Sequence, residues 1–144
     1  MSRYRVVLFF GILILLTFTS ASIKAFHKDI YYPRAPEALL EILQDMDNPF
    51  SPTRKNIEEG GKVYFGKGLC VKCHGINGKG VEVPGHPPRN FTDPKWQDVR
   101  TDGEMMWVLK NGSPGTSMPI RVGRGISEEE AWKVILFIRT FAGV

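Results

Sequence analysis

Cysteine is scarce in this chain of 144 residues: there are two, and both lie in the stretch GKGLCVKCHG, Gly66 to Gly75. A disulfide-stapled fold is therefore excluded. Histidine is nearly as rare, with three. A closed zinc site takes four ligands, and beyond Cys70, Cys73 and His74 only His27 and His86 remain as ready donors, without the paired spacing of a zinc module. Charge of one sign is not concentrated either. The 19 basic and 15 acidic side chains leave +4, which excludes a nucleic-acid binder. Internal repeats and low-complexity tracts are missing, as is any βαβ pattern of the kind that accompanies a redox dithiol.

Long apolar runs are missing too. Val6 to Phe18 is apolar apart from Gly11 and Thr17, and it reaches Ile23 only across Ser and Thr. That is short of the ~20 residues of a spanning helix. Arg3 and Arg5 precede the run and Thr19–Ser20–Ala21 follows it, the layout of a secretory signal peptide. Residues 1–22 are thus expected to be a signal peptide or an uncleaved N-terminal membrane anchor. In both cases the rest of the chain is exported, to the periplasm of a bacterium.

Residues 23–52 read as an extension. Within it PEALLEILQDM predicts a short amphipathic helix, with Pro36 suited to the first position and Leu39, Leu40, Leu43 and Met46 at helical spacing. This helix packs either on its own domain or on a partner. Residues 53–144 predict an all-α domain. A helix is expected over Thr53 to Phe65, with Ile57, Gly61, Tyr64 and Phe65 on one face and a Gly60–Gly61 pair that points to close backbone approach. A loop-rich stretch follows from Gly75 to Pro94. The next helix, Thr101 to Lys110, has capping-box spacing to Glu104, and the last, Ser127 to about Phe141, has it to Glu130. The apolar stripe of the last helix is so wide that it must be buried on more than one side.

Cys70–Val71–Lys72–Cys73–His74 matches C-x-x-C-H, the attachment site of a c-type haem. Two thiols add to the haem vinyl groups as thioethers, and the adjacent imidazole of His74 binds iron. One short turn must place two sulfurs at two porphyrin edges while the ring points at the metal, which explains the spacing. A tethered macrocycle also supplies buried surface to a Gly- and Pro-rich domain with a thin core. For the opposite axial position the donors are Met105 and Met106 inside a helix, His86 in the loop after the cluster, and Met118. Met118 lies in NGSPGTSMP, where glycines let the backbone swing over a haem face and Pro119 stiffens it.

Taken together, these segments resemble the class I cytochromes c over about residues 53–143. Gly61 and Phe65 match the glycine and aromatic of that family's first helix, CVKCHG its haem site, NGSPGTSMP its methionine loop, and EEEAWKVILFIRTF its closing helix, with Phe137 at the aromatic position. The resemblance implies a cytochrome c fold: three to four helices around one covalently attached haem c, with the first and last helices crossing at the glycine. It implies His74 and Met118 as axial ligands. It also implies a proline carbonyl in the following loop as the acceptor for the second nitrogen of His74, with Pro84, Pro87 and Pro88 all eligible.

A His/Met pair fills both axial positions and suits electron transfer rather than catalysis. The expected function is single-electron transfer in a periplasmic respiratory chain, as a shuttle and not as an enzyme. The alternative is a fixed haem subunit of a larger membrane respiratory complex, quinol-oxidising or terminal oxidase, which the extension favours. A haem catalyst or gas sensor would need an open coordination site. Lys62, Lys67, Lys72 and Lys79 surround the cluster with no acid between Gly60 and Val81, a charge that would steer an acidic redox partner. Arg89, Arg100 and Trp96 are candidate contacts for haem propionates.

Overall fold

Thr53 is extended, and its side chain accepts from the backbone of Asn56, so the first long helix of the domain starts at Arg54. The computed structural model describes residues 30–82 and 87–142. The candidate signal or anchor segment, His27, Pro84 and His86 lie outside the described residues. A 3-10 turn, Glu37–Leu39, leads into α1 (Leu40–Gln44). Then come α2 (Arg54–Phe65), α3 (Val71–His74), α4 (Pro94–Val99), α5 (Asp102–Asn111) and α6 (Glu128–Arg139). Among the described residues there is no strand, only an isolated bridge between Val122 and Ile126. No helix among them is long and apolar enough to cross a membrane.

The all-α expectation holds, with both capping boxes in place: Thr101 with Glu104 and Ser127 with Glu130. Two short helices add to those expected. The α3 helix is the single turn that follows Cys70 and carries Cys73 and His74. The α4 helix starts where Asp93 accepts from the backbone of Lys95 and Trp96, with Pro94 at its first position. One turn carries too little periodicity to be read from sequence.

The packing centres on α2 and α6, the first and last helices of the domain, which cross at the expected glycines. Gly60 takes the closest approach: a Cβ there would lie 2.5 Å from the carbonyl carbon of Lys133. At Gly61 it would meet the ring edge of Phe137 at 3.1 Å. The resemblance pairs Gly61 with Phe65, and the structure shifts that register by one. The buried aromatic is Tyr64, one turn beyond Gly60, with rings of Phe137 and Phe141 at 5.2 and 5.6 Å. Phe65 is 48% exposed. Four residues bring a side chain back to the same helical face, so a glycine at 60 selects Tyr64. Ala131, Trp132, Val134, Ile135, Leu136 and Ile138 of α6 are all buried, as the wide stripe requires.

The extension packs on its own domain. Leu43 is buried and its carbonyl accepts from Thr101 Oγ1 at 3.2 Å. Gly103 leaves the room: a Cβ there would strike the Leu43 carbonyl. Arg100 Nη2 donates to the Tyr31 carbonyl at 2.7 Å, and Asn48 Nδ2 to the Trp132 carbonyl at 3.0 Å.

Candidate functional site

The C-x-x-C-H segment is built as a strained turn tied at both ends. Leu69, just before Cys70, is the only non-glycine with positive φ among the described residues, at 53°. From there α3 runs one turn, with His74 N donating to the Cys70 carbonyl at 2.8 Å. Gly75 exits at φ 75°, a conformation open to glycine. Tyr64 Oη donates to the Gly75 carbonyl at 2.8 Å, so the helix crossing holds this turn directly. On the far side Gly80 N donates to the His74 carbonyl and Val81 N to the Cys73 carbonyl, both at 2.9 Å.

Both cysteines are free thiols, Cys70 buried and Cys73 exposed. Burial pushes the Cys70 thiol up to about 11. A redox dithiol attacks through a depressed thiol, so this environment argues against Cys70 in that role.

His74 is buried, 8% exposed, and its Nδ1 lies 3.1 Å from the Arg89 carbonyl. A carbonyl only accepts, so Nδ1 carries the proton and Nε2 keeps its lone pair. Among the described residues Nε2 has no hydrogen-bond partner. Burial, aided by the nearby Arg89 charge, pushes the imidazole below its ordinary value and keeps it neutral, although the Arg89 carbonyl opposes this. The orienting carbonyl is therefore Arg89's, not that of Pro87 or Pro88. The segment is placed by Phe91, whose N donates to the Gly78 carbonyl at 2.7 Å and whose ring stacks on the imidazole at 4.2 Å.

Met118 is partly buried and packs against the hydrophobic core that also contains Cys70, Phe91 and Trp96. Its loop closes on itself: Ser113 N donates to the Met118 carbonyl at 3.0 Å and Met118 N to Thr116 Oγ1 at 3.1 Å. Gly112 and Gly115 both take φ 75°. A Cβ on Gly112 would lie 2.9 Å from the Met118 carbonyl oxygen, so glycine is what lets the loop fold this tightly. Met105 and Met106 are both core residues, at 6% and 2% exposure.

Arg89, Trp96 and Arg100 form one neighbourhood. The Arg89 guanidinium lies 5.9 Å from the Trp96 ring centre. Burial, then the charges of Arg34 and Arg100, push it below the usual arginine value. Arg34 brings an extension residue to this electropositive pole. Arg100 Nη1 sits 3.1 Å from Glu104 Oε1, both side chains nearly fully buried. The approach lacks hydrogen-bond geometry, so both atoms remain unsatisfied, as does Arg121 Nε.

These residues fit a c-type haem: two free thiols on one turn, an imidazole with its outer nitrogen uncommitted, a thioether on a tight loop, and the partly buried Arg89 guanidinium as a donor for carboxylates.

Lys62, Lys72 and Lys79 are exposed and form no ion pair among the described residues. Lys67 instead meets Glu130 at 2.6 Å. Leu69, Ile76 and Val81 of the same stretch are exposed as well, whereas Lys62 and Lys67 line a hollow together with Glu59, Glu129 and Glu130. Tyr64, Phe91 and the Arg89 carbonyl are the parts of the site that sequence reasoning did not assign. Only Tyr64 had a usable signal, its spacing from Gly60.

The family profile described as Cytochrome c matches residues 57–142. No curated protein matches the chain. Among solved structures, a chain of the Kuenenia stuttgartiensis reducing HAO-like protein complex is similar, with 25% identity and a TM-score of 0.54. The likeness covers 67% of this chain and 49% of that one, so this chain spans about half the length of its structural relative.

Proposed function

This chain belongs to the cytochrome c family, and on that premise we propose that it carries single electrons in a periplasmic respiratory chain, through one haem c joined to Cys70 and Cys73. The bound haem iron supplies one-electron oxidation and reduction. Everything else falls to the protein. His74 presents Nε2 to the metal, oriented by its Nδ1–H bond to the Arg89 carbonyl. Met118 supplies a sulfur from a loop whose own hydrogen bonds limit its movement. Such a ligand pair raises the reduction potential and leaves no coordination site for oxygen. Phe91, Trp96 and Met106 are buried and would help to keep the site dry. Arg89 would offer a donor to the carboxylates of the group, whereas Arg100 is already held by Glu104 and the Tyr31 carbonyl.

One observation carries the reading: a neutral buried imidazole, fixed through Nδ1, ends the turn that holds both free thiols. Met118→Ala tests it. The wild type should show a low-spin His/Met spectrum with its weak sulfur-to-iron band, and the variant should lose both and bind carbon monoxide when reduced. Persistence of that band in the variant would remove Met118 as the ligand.

The shuttle docks acidic partners through the stretch around Cys73, where Lys72 and Lys79 lie with exposed Leu69, Ile76 and Val81. A second reading, a fixed subunit of a membrane complex, draws support from the extension. It is tightly packed on the domain yet leaves apolar side chains facing outward.

A further inference from the structure

The extension helix buries only part of its apolar face. Leu43 points into the domain, while Leu39, Ile42 and Met46 are 39%, 64% and 36% exposed. At helical spacing these three form one stripe beside the buried seam. Nothing local explains their exposure, because the segment is held by Thr101, Arg100 and Asn48. Glu37, Glu41, Asp45 and Asp47 flank the stripe, all exposed and without ion pairs among the described residues. No Lys or Arg occurs between Arg34 and Arg54. Next to it, Tyr32, Arg34, Pro36 and Glu37 line a hollow of about 370 Å³ with Trp107 of α5 and Pro114 of the methionine loop, so one basic residue stands at its edge.

We infer that this face is a second docking surface, separate from the lysine face, for a partner protein whose apolar groove is rimmed by Lys and Arg. The inference rests on the electron-transfer reading and specifies its fixed-subunit form. Charge complementarity decides the occupant. Four unpaired acids around an apolar centre are repelled by anionic headgroups, which disfavours a lipid surface. A second copy would have to offer its lysine face, a head-to-tail contact that builds rings or filaments and would block the redox face. A basic-rimmed groove satisfies both the stripe and the acids, and a partner side chain in the hollow would touch Pro114 of the Met118 loop. The chain would then be held through its extension while the lysine face stays free for electron exchange.

The test uses the full chain in native membranes, solubilised gently and resolved by native electrophoresis, with the haem spectrum read on the same sample. The wild type should migrate in an assembly containing other polypeptides. I42D/M46D should reduce the assembled fraction about tenfold. E41K/D45K should reduce it too, and raised salt should weaken the wild-type assembly. In each variant an unchanged haem spectrum shows that the domain is folded. The inference is overturned if the wild type runs as a monomer, if it forms a species of this chain alone, if it stays on protein-free vesicles, or if I42D/M46D assembles like the wild type. Failure of the electron-transfer reading looks different: the wild type would assemble but show no haem spectrum.

Discussion

Tyr64 donates its hydroxyl hydrogen to the Gly75 carbonyl over 2.8 Å, which joins the α2–α6 crossing to the turn that ends in His74. The residue is fully buried, and burial pushes its phenol well above the ordinary tyrosine value, so it stays a donor at any working pH. Tyr64→Phe leaves the carbonyl short of a partner and should cost about 1 kcal/mol. Denaturant midpoints of the haem-loaded protein should fall while the ligand spectrum is kept. An unchanged midpoint would show that this bond does not support the turn.

The two glycines of α2 should behave differently. Gly60→Ala places a methyl against the Lys133 backbone, which moves only if the helices part, so a loss of about 3 kcal/mol or more is expected. Gly61→Ala meets only the Phe137 ring edge, which can swing, so about 1 kcal/mol or less is expected. Thermal unfolding of both variants checks the order. Equal losses would contradict the crossing described.

Salt and charge should act through two lysines. Lys72→Glu or Lys79→Glu should each slow association with an acidic redox partner several-fold at low ionic strength, and the difference should close at high salt. Lys67→Glu first breaks the pair with Glu130, so it should also lower stability. Stopped-flow rates across a salt series separate these outcomes. Rates indifferent to salt would eliminate steering by this face.

Acid should weaken the domain through Glu130. The Lys67 ammonium and then the Ser127 backbone hydrogen bond hold its carboxyl below the ordinary 4.5, and Lys133 does the same for Glu59. A depressed carboxylate stabilises the fold above its unfolded value, and the contribution is lost as pH falls through the folded value. Stability should thus be level above pH ~5 and decline below ~4.5, with a shallower decline in Glu130→Gln. Equal acid slopes for the two proteins would exclude Glu130 from the response.

Sequence alone determined whatever rests on local spacing. C-x-x-C-H within one turn, Thr101 with Glu104 and Ser127 with Glu130 are separated by at most four residues, so backbone geometry by itself relates them. The wide stripe of α6 was legible for the same reason. Tertiary structure decided what depends on distant backbone. Which carbonyl meets His74 turned on how residues 87–91 fold back, so Arg89 took the place of the expected prolines. Which glycine lies at the crossing turned on the rotation of α2 against Lys133, and a one-residue step turns a helix by about 100°. That the extension packs on its own domain depended on Gly103, sixty residues from Leu43, having no side chain. Composition recorded that glycine, but only folding brought the Leu43 carbonyl to it.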